Sequence, residues 1–406
     1  ASLALAEAGD DAGYDAPGAM SIEADRVLRP RDPEIRRRAE EIFRRLDAAG
    51  ALVEREGQLW FPLSRFAGEL REHYLKAGMG ARQRAFLEEA SADGFPDVAV
   101  TRSGGGIPVP AAGFDGRSLS GCLEAAARAL AVGGAPAADE SLAVVDCFGG
   151  DDLFLHGLAV PALLLAFDPA IRPPAAFVLS EPGRGSGGLS NGRPADLVRF
   201  YLASTWPESE PAEWSAAELA ATVERELAGT WQPWLSELGA RLAEERGGEI
   251  PATGDWMEDH RRFYARLQEL LAEAAAGYEP RSFSPQQAMR ACGELVRAAR
   301  RFGKAEAHWR KVPARSEERR TGLALELLAA KALALAAAPV MPGFAGRLWR
   351  DLGYETPFAE ARWEDRPAWL PGGQRLRGLG GPYFAAASEA AATAEQAAPA
   401  PIAAIA

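Results

Sequence analysis

The chain has 406 residues and carries 45 Lys+Arg against 57 Asp+Glu, a net charge of −12, so no global positive field is available to hold a polyanion. At roughly 100–200 residues per domain there is material for two or three domains with a sizeable core, which excludes a disulfide-stapled miniprotein. Hydrophobic residues at 48% and charged residues at 25% are the usual globular balance, and no uncharged apolar run reaches the ~18 residues of a membrane span.

Residues 1–25 are rich in Ala, Gly and Asp and are expected to be flexible, with no basic n-region of a signal peptide. Asp32-Pro33 then supplies an N-cap and a first-turn proline. Ile35, Ala39, Ile42, Phe43 and Leu46 recur at helical spacing, and Gly50 closes the segment. Ala51–Phe61 reads as a hairpin around Glu56-Gly57, and Phe66, Leu70 and Tyr74 mark a second helix. Between Asp97 and Pro110 the pattern turns extended, and a helix is expected over about 118–131. Leu142–Val145 reads as a buried strand running into Phe148-Gly149-Gly150-Asp151, followed by an apolar helix through Leu158–Leu165. Ala176–Leu179 is another strand, ending in the glycine-rich loop Gly183–Gly192. Strands alternating with helices imply a parallel sheet with ligands beyond the carboxyl ends of its strands.

After about Trp206 the strand signal disappears. Helical runs near 215–246, 255–276, 284–308 and 316–337, with a shorter one ending at Gly353, predict an antiparallel bundle. The Ala-rich, Pro-containing tail over 385–406 is expected to be disordered. The expected division is a flexible segment over 1–25, an α/β region over 26–205, a helical bundle over 206–384 and the tail.

Each candidate site has an ordinary structural reading beside the functional one. Gly149-Gly150-Asp151 suits backbone approach to an anion and a carboxylate on a ribose, or is a tight turn. His156 on the following helix is a ligand contact or a satisfied core histidine. Arg184, Ser186 and Ser190 suit phosphate contacts, or belong to a solvated connection. The run Arg297, Arg300, Arg301, Lys304, Arg310 and Lys311 is the best local basic patch, and with Glu294 and Glu306 alongside it reads better as a solvated face. Trp231 and Trp234 around Pro233 read as aromatic packing at a kink. The four histidines, His73, His156, His260 and His308, show no metal-ligand spacing to another ligand type, and no metal is expected. Cys122, Cys147 and Cys292 are odd in number and contain no Cys-x-x-Cys, which argues for a reducing compartment, the cytoplasm by default.

The order of these pieces, from about residue 26 to 380, resembles methionyl-tRNA synthetase and its class I relatives. Thr101-Arg102 with Gly106-Ile107-Pro108-Val109-Pro110 is similar to the family's Ser-Arg…Gly-Ile-Pro-Val-Pro run. Gly149-x-Asp151 with Leu155-His156 and Pro161-Ala162 is similar to its Gly-Lys-Asp…Phe-His…Pro-Ala stretch. Asp196-Leu197-Val198-Arg199-Phe200-Tyr201-Leu202 resembles the helix closing its catalytic domain. Pro339–Pro342, Leu352-Gly353 and Leu370–Gly373 resemble landmarks of its helical anticodon-binding domain. The resemblance implies a partial class I synthetase catalytic region of Rossmann type with a parallel sheet, followed by an all-α anticodon-binding-like bundle.

The departures bear on function. The family's His-x-Gly-His signature has no counterpart, so an upstream segment or a partner chain is expected to complete the nucleotide site. At its Lys-Met-Ser-Lys-Ser loop stands Gly183–Gly188, with Arg184 and Ser186 as the remaining cation and hydroxyl. The zinc knuckle is absent. Trp231-Gln232-Pro233 stands at the Leu-Gly-Asn anticodon position, while Trp309 is kept, so no tRNA partner is expected. Phe114-Asp115-Gly116…Gly121-Cys122 replaces the aromatics of the amino-acid pocket, pointing away from methionine.

A synthetase body stripped in this way resembles the synthetase-like part of hydrazine synthetases, which works beside a metal-binding cupin domain. That resemblance implies a cytoplasmic ligase that activates an amino acid on ATP, carried as its magnesium complex. It then passes the acyl group to a small N-hydroxylated amine, with a cupin domain as the expected partner. It places Gly149 and Asp151 on adenosine, Arg184 and Ser186 on phosphates in the catalytic role, and Arg102, Phe114, Cys122 and His156 around the amino acid. Two other readings stay open: an inactive paralogue acting as a scaffold or binding subunit, and a methionine–tRNA ligase.

Overall fold

The computed structural model describes residues 4–6, 20–22, 25–28, 32–77, 84–85, 88–89, 94–133, 144–171, 174, 176–180, 183–184, 189, 192–208, 210–363 and 368–384. Most of the segment expected to be flexible, the whole tail over 385–406, and the loop residues Ser186 and Ser190 lie outside them. The chain divides into two compact units, 1–182 with 280–282, and 183–279 with 283–406.

In the first unit, strands β1 (Ala4–Ala6) and β2 (Arg26–Leu28) pair in parallel. Helix α1 (Pro33–Ala48) starts on Pro33, and the five apolar positions at helical spacing are all buried. Asp32 sits at the N-cap, but its carboxylate makes no capping bond; its carbonyl accepts from Arg36 N–H at 3.0 Å. Strands β3 (Val53–Arg55) and β4 (Gln58–Phe61) form the hairpin, with Glu56 and Gly57 both at positive φ, 53° and 69°, as a two-residue turn of this hand requires. A 3₁₀ turn over Leu63–Phe66 enters α2 (Ala67–Ala77), which buries Leu70 and Tyr74.

Strand β5 (Val98–Ala99) extends the hairpin, and β6 (Thr101–Ser103) pairs antiparallel with β7 (Arg117–Leu119). The helix expected from 118 begins instead at Gly121, as α3 (Gly121–Gly133). Extended pairing wins at 117–119 because it buries Ser118 and Leu119 opposite Arg102 and Thr101, and it lets Ser118 Oγ donate to Gly104 O at 2.7 Å.

Strands β8 (Val145–Gly149) and β9 (Ala176–Ser180) are parallel, with α4 (Val160–Phe167) between them in sequence. Among the described residues the strand starts at Val145, with Val144 outside it, while Leu142 and Ala143 lie outside the described residues. It is not fully buried either: Val145, Cys147 and Gly149 are exposed on alternate positions. After β8 the backbone makes a 3₁₀ turn at Gly150–Asp152 and a π-helical turn at Leu155–Ala159 that carries His156.

Among the described residues, the named strands of the second unit are the short parallel pair β10 (Gly183–Arg184) and β11 (Ala212–Glu213), and the rest of its regular structure is helical. Between them lies α5 (Ala195–Ser204). Helix α6 (Ala216–Thr222) runs through a π-helical stretch, Val223–Trp231, into α7 (Gln232–Arg246), and α8 (Glu258–Tyr278), α9 (Pro285–Glu306), α10 (Ser316–Ala337) and α11 (Pro342–Asp351) follow. Each of these last helices packs on the next, and α10 is buried on all sides from Thr321 to Ala337. Trp231 and Trp234 are sealed in this core, Trp231 against Phe200, Phe344 and Phe384.

Two motifs of the sequence interlock here. Arg199 on α5 donates to the carbonyls of Pro339 and Val340, both at 2.7 Å, and Asp196 accepts from the first backbone N–H groups of α11, Gly343 at 3.2 Å and Phe344 at 2.5 Å. The Asp196 carboxylate therefore caps the N-terminus of a helix 147 residues away. Asp196→Ala is expected to cost about 1–2 kcal/mol, read as a lower urea midpoint with unchanged slope.

Candidate nucleotide and amino-acid site

The expected site residues fall into two clusters in the first unit and a third group in the second. At the carboxyl end of β8, Gly149 is exposed and nothing lies within 4 Å of where a Cβ would stand, so a ring can lie directly on this backbone. Asp151 follows in the 3₁₀ turn; its side chain is outside the description. His156 is neither a sealed core residue nor isolated. Its Nδ1 lies 2.9 Å from Asp146 Oδ2, its ring stacks on Phe148 at 5.0 Å, and a quarter of it remains exposed.

The second cluster joins β6, β7 and the start of α3. The Arg102 guanidinium donates to Leu119 O at 3.3 Å and stands 3.8 Å from Glu124, half exposed. Cys122 is buried, 2.8 Å from Ser120 Oγ and 3.5 Å from Ala99 O. Burial pushes its thiol up to about 11, so it stays protonated at neutral pH and acts as a small apolar wall. Phe114 is half-buried against the same core. Helix α3 packs on the turn holding His156, which links the two clusters within one unit.

Arg184 contributes backbone to β10, its side chain undescribed, and Ser186 is outside the description. No group of three or more His, Cys, Asp or Glu among the described residues is arranged to hold a metal. Sequence reasoning missed Asp146, Tyr74 and Phe177. The available signal was Asp146 itself, an acid set inside the apolar run Val144–Phe148 just before a glycine turn.

The chain superposes over 89% of its length on 83% of a Mycobacterium tuberculosis methionyl-tRNA synthetase in complex with methionyl-adenylate, with a TM-score of 0.76 at 18% identity. The fold is that of a methionyl-tRNA synthetase. The apo form of the same enzyme gives a TM-score of 0.73 at 19% identity, covering 89% of this chain and 84% of that one. In sequence, the methionine–tRNA ligase of Aeropyrum pernix is 27% identical over 255 residues, 59% of this chain and 44% of its own. That of Protochlamydia amoebophila is 25% identical over 171 residues, 42% and 24% respectively. The chain spans about a quarter to a half of the length of such curated relatives. No protein-family model matches it.

The segment Trp231-Gln232-Pro233, expected at the Leu-Gly-Asn position, is held by contacts within the chain. Gln232 donates to Gly381 O at 2.9 Å and accepts from Tyr383 N–H at 2.8 Å, and Trp231 is fully buried. Trp309 lies under the Arg315 guanidinium at 5.1 Å. Of the basic run, Arg297 is paired with Glu226 and Glu294, and Arg300 with Glu237.

Proposed function

We propose that the chain activates an amino acid other than methionine as an aminoacyl adenylate and passes the acyl group to a small amine instead of tRNA. The acceptor proposed is an N-hydroxylated amine, as in the hydrazine synthetases that the sequence resembles, with a cupin domain as the partner. The observation that carries the reading is Gln232. Both ends of its amide are committed to the chain's own backbone at 380–383, and the Trp231 indole is sealed in the core, so the amide expected at the anticodon position is not free to read a base. The acidic net charge supports it by removing the phosphate-binding contribution.

In this reading Gly149 and Asp151 hold adenosine, and the resemblance assigns Arg184 and Ser186 to the phosphates of the ATP–magnesium complex. Arg102, Phe114, Cys122 and His156 surround the amino acid. ATP supplies the adenylyl group and pyrophosphate leaves. The residues of the chain bind, orient and exclude water. The inactive-paralogue reading is favoured by a different feature, the glycines Gly185, Gly187 and Gly188 that dilute the phosphate loop.

The test is ATP–pyrophosphate exchange across the proteinogenic amino acids without tRNA, on the full-length polypeptide. Exchange with one amino acid other than methionine is the expected result. Exchange with methionine alone would restore the methionine–tRNA ligase reading, and no exchange with any amino acid would leave the binding-subunit reading.

A further inference from the structure

Tyr74, Asp146 and His156 lie far apart in the sequence and share one face of the β8–β9 pair. The register sets Asp146 beside Phe177, and the two-residue period of the strand puts Phe148 on the same side. Phe177 meets Tyr74 of α2 at 5.7 Å and Phe148 at 5.7 Å, and Phe148 stacks on His156. Asp146 bonds to His156 through Oδ2, and among the described residues no arginine or lysine is bonded to this carboxylate. Side-chain exposures of 26% for Asp146 and 25% for His156 leave both within reach of a solute. Tyr74 is 4% exposed, and its hydroxyl makes no hydrogen bond.

We propose that Asp146, His156 and Tyr74, walled by Phe148 and Phe177, form a subsite for the side-chain ammonium of a basic amino acid. The chemistry of each group fits a cation that donates hydrogen bonds. The second carboxylate oxygen of Asp146 is a charged acceptor. His156, donating from Nδ1 to Asp146, presents Nε2 as another acceptor, and the Tyr74 oxygen is a third. The Asp146 charge, together with burial as the larger cause, holds the Tyr74 hydroxyl in its protonated form. A thioether or alkyl side chain placed here would desolvate the carboxylate and return no hydrogen bond, so the subsite discriminates by what it leaves unpaired.

This names the class of amino acid for the activation proposed above, and it rests on that reading only for where the reacting carboxylate lies. The test is calorimetric titration of the full chain with L-lysine and with L-norleucine, which lacks the ammonium. Lysine is expected to bind at least about tenfold more tightly. Asp146→Asn is expected to abolish the preference and Asp146→Glu to keep it. Tyr74→Phe is expected to weaken lysine severalfold without lowering the melting temperature, since it removes an unpaired buried hydroxyl. Equal binding of the two ligands, binding of neither, or a preference surviving in Asp146→Asn overturns the proposal. The two readings separate cleanly: a lysine preference without ATP–pyrophosphate exchange keeps the subsite and removes activation, whereas exchange with a neutral amino acid and no lysine preference does the reverse.

Discussion

Replacing Arg241 by methionine is expected to destabilise the helical unit by about 3–5 kcal/mol, the range for stranding one member of a buried ion pair. Glu326 on α10 has no exposed surface, and Arg241 of α7 grips it with two parallel bonds, 2.6 Å to Oε1 and 2.5 Å to Oε2. Gly303 on α9 makes the room. A Cβ at that position would overlap the Glu326 carboxylate. Burial pushes the Glu326 carboxyl above the usual carboxylate range, against the pull of Arg241, and with the arginine gone only the weaker pull of Trp234 opposes that push. A carboxyl whose pKa is higher folded than unfolded binds more protons in the native state, so the stability of the variant falls as pH rises through the ordinary carboxylate range and beyond. Urea unfolding at pH 5 and pH 8 checks this. The loss should be larger at pH 8, and Arg241→Met with Glu326→Leu should recover most of it. A single variant within about 1 kcal/mol of the parent would show that the pair is not sealed from water.

Gly239→Ala is the second large effect, expected at about 3 kcal/mol or more, the upper end for overpacking. Gly239 lies on α7 where the chain at Leu379 crosses it, and a Cβ there would overlap the Leu379 carbonyl oxygen and lie 2.7 Å from its carbon. Those atoms are backbone, so no rotamer change relieves the contact. The crossing segment is held on both flanks. Ser236 donates to Gly380 O at 3.2 Å, Gln232 to Gly381 O at 2.9 Å, Arg347 to Tyr383 O at 2.9 Å, and the Tyr383 hydroxyl to Asp351 at 2.6 Å. Lifting the segment by one methyl group therefore breaks a set of bonds together and uncovers Trp231, which packs on Phe384. Hydrogen exchange at 379–384 and tryptophan emission report it. Fast exchange confined to that segment, with red-shifted emission, is expected, and native protection there would contradict the close crossing.

The parts of the fold written in local periodicity were legible. The apolar spacing of 33–48 and the Gly/Pro punctuation between the helices of the second unit placed those elements within a few residues, because burial of one face decides both pattern and structure. Residues 117–119 were not legible, since their pairing partner at 101–103 competes with a helix start that looks equally good locally. The buried charges of α10 were invisible for a related reason. Glu326 finds Arg241 85 residues away, and Lys331 donates to Ala368 O 37 residues on. The candidate site shows the same split. Gly149 and His156 stand out against their neighbours, but the pairing of His156 with Asp146, and Tyr74 beyond them, depends on which strand lies beside which.

The central claim is amino-acid activation without RNA. It is tested most directly by a single-turnover reaction of the full-length polypeptide with ATP labelled at the α-phosphate, a basic amino acid, and either a small hydroxylamine or total tRNA as acceptor. Labelled adenylate forming in the absence of tRNA, and being consumed with release of AMP when the hydroxylamine is added, is the expected result. Adenylate that is consumed only by tRNA, or no adenylate at all, would contradict it.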